Sequence, residues 1–405
     1  MTARVTTCVR RLSLIAGLAT LTGCGGSNDA ASTKTIRAAR TAAAVNAPWA
    51  AAEIQALRAQ GWSTDFSKHA VARTEFQDGG PPRDGIPPID HPRIVALASG
   101  DRFLTPREPV IAVRVGSQAR AYPEQILVWH EIVNDDLGGI PIAVSYCPLC
   151  NSAIVFDRRL GTRTLTFGTT GKLRNSDLVM WDRQTQSWWQ QFTGSALVGA
   201  ATGTRLRALD SQVLSWTQFK ATYPHGTVLS RDTGFQRPYG SNPYKGYDSV
   251  PTSRPQFYQG RLDPRLPPLE RVVAVFAGRK AVVVPFSVLA RHPVVGGSIA
   301  GRPVVVLYTP GVVSALDASS IANSRDVGIA GAFDPRVGNG TLRFSATGAG
   351  RFRDHTGSTW DVTGRALDGP LRGAQLRPLR HDEQFWFALA AFLPRARLLA
   401  AGSGP

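Results

Sequence analysis

A segment of this chain occurs twice but carries its reactive residues once. Residues 108–157 align without a gap to residues 270–319 at one constant offset, and Pro123/Pro285, Leu127/Leu289, His130/His292, Pro141/Pro303, Tyr146/Tyr308 and Pro148/Pro310 are identical. At a slightly larger offset Thr193-Gly194 matches Thr363-Gly364, Leu206-Arg207 matches Leu376-Arg377, and Trp216 and Pro224 match Trp386 and Pro394. The repeat unit is far too long for a solenoid. It predicts two related, β-rich α+β units, of which the second is degenerate. Cys147 is replaced by Thr309, Cys150 by Val312, Asn151 by Val313, Glu131 by Pro293 and Asp135 by Gly297. Residues kept in both copies read as scaffold. Those lost from the second mark where chemistry is to be sought in the first, and Thr309, Val312 and His292 are expected to enclose an apolar or closed volume where the first copy has an open polar one.

The pattern of elements agrees. Val110–Val115 alternates as a strand and Ala119–Tyr122 returns as another, through Gly116-Ser117. Pro123 opens a short helix, in the position proline favours. Pro141–Tyr146 reads as a strand that delivers Cys147 at its end. The expected organisation is a leader at 1–23, a flexible tether at 24–48, an N-terminal strap at 49–95, the first unit at 96–224, a linker at 225–267 packing on that unit, and the second unit at 268–399. Within the strap, Gly79–Asp90 holds too many prolines and glycines for helix or regular strand.

Arg4, Arg10 and Arg11 precede a short apolar run that ends in Leu21-Thr22-Gly23-Cys24. The run is too short to span a bilayer and reads as a secretory leader. Its last four residues resemble a bacterial lipoprotein box, which implies lipidation of Cys24 and an extracytoplasmic, membrane-anchored protein. Loss of Cys8 with the leader and lipidation of Cys24 leave Cys147 and Cys150 as the only free thiols. The formal charge of +17 suits anionic lipid or cell-wall polymer. No basic-aromatic nucleic-acid motif accompanies it, so no nucleic-acid partner is expected. The expected partners are the membrane, through the anchor, and an unidentified protein or small molecule.

Cys147-Pro148-Leu149-Cys150 is the sharpest local signal. Two cysteines at this spacing hold a soft metal, exchange electrons, or close a small disulfide. A thioredoxin-type site needs a long helix after the first cysteine, and an apparent hairpin follows here instead. A four-cysteine zinc site lacks its second pair. His130, or else the nearby Glu131, is the candidate third ligand, giving copper or zinc as the expected cofactor through Cys147, Cys150 and His130. Against it, His292 stands at the matching place in a copy that holds no cysteines. Glu131, Asp135, Arg174 and Asp177 are candidate catalytic groups; Arg174 and Asp177 are read as orienting an anion or pairing with each other. Trp188 and Trp189 read as core.

The strings Gly79–Pro92, His130–Asp135, Tyr146–Ala153, Gly171–Asp182, Trp188–Gly194 and Ser230–Asp248 resemble a bacterial, extracytoplasmic family, domain of unknown function 3179. The resemblance supports the placement implied by Cys24 and brings no activity with it. Three readings stay open: a metal-binding lipoprotein, a dithiol redox protein or cysteine-dependent enzyme, and an envelope scaffold with a structural disulfide.

Overall fold

The computed structural model describes residues 47–278 and 280–399. The leader, Cys24 and nearly all of the tether lie outside these residues. The described chain is α+β and strand-rich, with short helices. No helix among the described residues is long and apolar enough to cross a membrane.

Local sequence explains the elements that carry the site. Strands Pro109–Val115 and Gln118–Pro123 pair antiparallel about Gly116, whose φ of +57° suits a residue without Cβ. Pro123 takes the N-cap of helix Glu124–His130, where its missing N–H costs nothing. The helix stops at Glu131, which adopts left-handed φ (+57°) as C-cap. The chain then enters strand Ile132–Leu137, turns through Gly138-Gly139 with both φ positive, and returns as Ile140–Cys147.

Among the described residues six sheets of four or five strands follow, three in each half, beside one two-stranded ribbon in each, and pairing is antiparallel but for two strand pairs. In the first half, one sheet runs Arg207–Leu209, Ser152–Asp157, Ile140–Cys147, Ile132–Leu137. A second runs Phe76–Asp78, Phe167–Arg174, Asp177–Asp182, Trp188–Gln190, Ala196–Val198. The third is built on Pro109–Val115 and Gln118–Pro123 and includes one parallel pairing, to Thr227–Leu229. In the second half, Arg377–Pro378, Ile329–Asp334, Arg302–Thr309 and Val294–Ile299 line up in one sheet. Arg271–Ala277 and Lys280–Pro285 form the centre of another, which again includes one parallel pairing, to Arg397–Leu398. Phe344–Gly348, Arg351–Asp354, Thr359–Trp360 and Ala366–Asp368 make the last.

The gapless sequence match runs too far. Cys147 faces Ser152 across its hairpin, whereas Thr309 faces Ile329. The connection after Thr309 is therefore much longer than the one after Cys147, and Val312 and Val313 are not register equivalents of Cys150 and Asn151. The matrix of apolar side chains is shared: Tyr146, Cys150 and Phe156 belong to the same buried cluster as Trp386, Phe387 and Leu389. Trp188 sits among Trp49, Trp62, Phe66 and Phe76, so the N-terminal segment is packed on the first half by aromatic contacts.

The segment after Asp78 lies along strand Phe167–Arg174. Gly79 N donates to Gly171 O at 2.8 Å and Asp84 N to Thr169 O at 2.8 Å. Gly171 has φ +73°, and a Cβ there would stand 1.9 Å from Pro81 O, so only glycine permits this approach. Residues of 225–267 touch both halves: Tyr247 Oη donates to Leu149 O at 2.9 Å, and Asp248 pairs with Arg271 at 2.7 Å.

Candidate metal centre

Cys147 ends its strand, and Cys150 sits on the turn that follows. Cys150 N donates to Cys147 O at 3.2 Å and Asn151 N to Pro148 O at 3.2 Å. Asn151 leaves the turn with φ +49°. Asparagine tolerates that conformation better than other residues with a side chain, and Tyr146 Oη donates to its Oδ1 at 3.2 Å.

The third side chain arrives from the other sheet. Arg174 and Asp177 face each other across a two-residue hairpin turn, Asn175-Ser176, with φ of +53° and +65°. Two positive φ values give the tight turn that matches strand twist. A buried serine in that region is strained, and such strain concentrates at functional sites. The turn aims Ser176 O at both thiols, 3.8 Å from Cys147 Sγ and 3.5 Å from Cys150 Sγ. Asp177 follows directly, and the ligand atoms of Cys147, Cys150 and Asp177 all lie within 4.8 Å of one another.

The segment after Trp189 clamps the two sheets together here. Gln191 Nε2 donates to Ser145 Oγ at 3.1 Å and to Ser152 O at 3.1 Å, holding the cysteine hairpin. Gln190 Nε2 and Phe192 N both donate to Asp177 Oδ2, at 2.5 and 2.9 Å. The other oxygen, Oδ1, is buried without a hydrogen-bond partner. A buried, unpaired carboxylate oxygen is costly unless a cation or donor meets it.

Burial dominates the electrostatics. It pushes the Cys147 thiol up and Cys150 well up, and raises Asp177 to about 7 against the opposing bonds from Phe192 and Gln190. Glu131 is raised to about 8, first by burial and then by Asp177. Thiols pushed upward are poor nucleophiles and poor dithiol reductants, since the thiolate is the reactive form. A bound cation reverses that balance by stabilising the thiolates and the carboxylate together.

The donor set fits a metal. Two sulfurs and one carboxylate oxygen make three ligands; zinc bonds of about 2.3 Å to sulfur and 2.0–2.2 Å to oxygen place tetrahedral sulfurs roughly 3.8 Å apart. Small rotamer movements bring a cluster of this span to that geometry. No fourth protein ligand joins it among the described residues.

The structure does not bring His130 to this cluster. Its Nδ1 lies 2.7 Å from Pro87 O and its Nε2 2.6 Å from Tyr239 Oη, so both ring nitrogens are engaged elsewhere. Asp135 bonds Arg120 and accepts from Tyr122 Oη at 2.6 Å, at the far end of its strand. Arg174 does not pair with Asp177. It pairs with Glu75 at 2.6 Å and donates to Gln190 Oε1 at 3.1 Å, so Gln190 bridges the two. Glu131 lies near the centre but has no hydrogen bond to its carboxyl among the described residues. In the second half, Val312 is buried in an apolar cluster with Leu307, Ile329 and Phe333, whereas Thr309 borders an open cleft of about 370 Å³ with Asp326, Arg351 and Asp361. Ser176, Gln190 and Gln191 are not among the candidates read from the sequence; the strings Gly171–Asp182 and Trp188–Gly194, from which the second copy departs, are their signal.

Fold and centre together define a β-rich α+β protein with a buried thiol–carboxylate cluster able to coordinate a metal ion. The chain belongs to the family described as protein of unknown function (DUF3179), whose family model matches residues 83–396. No curated protein and no solved structure matches it.

Proposed function

We propose that this protein is an extracytoplasmic lipoprotein, anchored through Cys24, whose Cys147, Cys150 and Asp177 bind one zinc ion with an open coordination position. The observation that carries the metal reading is Asp177 Oδ1, buried and unpartnered beside two buried sulfurs while Oδ2 is held by Gln190 and Phe192. A carboxylate ligand favours zinc over Cu(I), which prefers soft ligands alone. The Leu21–Cys24 box and the positive charge support the membrane placement. The like order of sheets in the two halves supports descent by duplication, with the second copy having lost its cysteines.

The test is metal analysis of full-length protein purified under reducing conditions. One equivalent of zinc per chain is expected, with loss in the Cys147→Ser/Cys150→Ser variant and in Asp177→Asn. Copper in the same stoichiometry would correct the metal. Metal-free protein with a Cys147–Cys150 disulfide would replace this reading with the structural one.

A further inference from the structure

A cavity of about 140 Å³ abuts the centre. Its wall includes Leu149, which stands between the two cysteines, and Leu178, which follows Asp177. Leu173 adds to this apolar lining, and a cavity of about this size lined by aliphatic side chains accepts a benzene-sized molecule. Most polar groups on the wall are already paired. Lys172 Nζ is on Asp78 at 2.9 Å and Thr169 Oγ1 on Ile86 O at 2.9 Å. Two polar groups are not: the Glu131 carboxyl, 7 % exposed, and the hydroxyl of the partly buried Tyr244 have no hydrogen bond among the described residues. Tyr244 feels the charge of Glu131 and of Cys147, and Cys147 that of Glu131, so the two polar groups stand at the end of the cavity nearest the thiols.

The mouth is built to stay in place. Ser176 Oγ donates to Gln256 O at 2.6 Å, tying residue 256 to the strained turn that carries Asp177. Phe257 comes next, 43 % exposed and at φ +57°. A bulky aromatic in left-handed backbone is an outlier that its surroundings must hold. Here the held conformation puts an exposed ring on the cavity rim. Tyr258, directly after it, is buried against Phe387.

We infer that this cavity is a substrate pocket for a small neutral amide, with Glu131 accepting from the amide N–H and Tyr244 donating to its carbonyl oxygen. The chemistry follows from the lining. An apolar wall with one acceptor and one donor at its end matches a ligand with an aliphatic body and one donor–acceptor head. A carboxylate ligand has no N–H to give the Glu131 acceptor, so it can use only the Tyr244 hydroxyl. The inference deepens the zinc reading, resting on it only for the ion beside which the amide head would lie.

The experiment uses full-length protein with its zinc content measured in each sample, and ligand-observed saturation-transfer NMR with isobutyramide, isobutyrate and isobutylammonium. Isobutyramide is expected to bind, with isobutyrate at least tenfold weaker. Tyr244→Phe, which removes one hydroxyl, is expected to weaken isobutyramide by about tenfold, the ordinary worth of one hydrogen bond. Leu173→Trp, filling the wall from a partly buried position, is expected to abolish it with zinc content unchanged. Asp177→Asn is expected to lose zinc and keep isobutyramide. Zinc bound with no amide binding, or amide binding indifferent to Tyr244→Phe and Leu173→Trp, overturns the pocket. Tighter binding of isobutylammonium overturns the amide assignment. Amide binding in wild-type protein that holds no zinc sustains the pocket and overturns the metal reading instead.

Discussion

Zinc affinity should depend on pH more steeply below about pH 7 than above it, and Asp177 should be the reason. In the metal-free protein burial keeps both thiols protonated at neutral pH and raises Asp177 to about 7. Zinc takes all three ligands deprotonated, so binding expels their protons. Each expelled proton makes the apparent affinity tenfold tighter per unit rise in pH, or about 1.4 kcal/mol. Around pH 6 Asp177 is mostly protonated and close to three protons leave; around pH 8 it is already ionised and close to two leave. The expected gain is therefore approaching about a thousandfold per pH unit on the acid side and about a hundredfold on the alkaline side. Competition against a chromophoric chelator at a series of pH values gives the slope. Calorimetry in two buffers of different protonation enthalpy counts the protons directly. Asp177→Asn, which does not retain zinc through purification, should take up added zinc with the two-proton slope throughout, at lower affinity. A wild-type slope of two or fewer across the whole range, equal to that of Asp177→Asn, would refute the assignment of Asp177 as a buried ligand.

Two further outcomes follow from named groups. In metal-free protein Glu124 and Asp177 (each about 7) and Glu131 and Glu383 (each about 8) are held above the ordinary carboxyl range by burial. Raised carboxyls contribute stability at low pH that is lost as pH rises through the folded-state value, at about 1.4 kcal/mol per pH unit for each group still protonated. The Tm of metal-free protein should therefore fall between about pH 5 and about pH 8; a flat or rising Tm would contradict it. Gly171→Ala puts a Cβ 1.9 Å from Pro81 O at φ +73° and should cost roughly 3 kcal/mol in a denaturant melt. Gly203→Ala, at φ +88° with nothing within 4 Å, should cost only about 1–2 kcal/mol; equal losses at the two positions would remove the argument that the segment after Asp78 is held through Gly171.

The sequence displayed what is local. Alternation gave the strands Pro109–Val115 and Ile140–Cys147, and proline position gave the start of helix Glu124–His130, because these are set by neighbours a few residues away. The Cys147/Cys150 pair was visible for the same reason. Its third partner was not. His130 is close in sequence, but the helix end turns its ring toward Pro87 and Tyr239. Asp177 reaches the thiols only because two sheets meet, and that meeting is fixed by Gln190, Gln191 and Phe192, whose roles no spacing rule encodes. The long connection after Thr309 was hidden by chance identity at Ser152/Ser314 and Ala153/Ala315, which let an ungapped match run through it.

The amide of Phe385 donates to the carbonyl of Cys150 at 2.9 Å, and Phe392 stacks on Phe192, with ring centroids 4.7 Å apart. The half without cysteines thus acts as a buttress for the half that has them. Support for the thiol turn comes from residues that never approach a ligand atom: the Phe385 amide holds the Cys150 carbonyl, and the Phe392 ring backs Phe192, whose own amide holds Asp177.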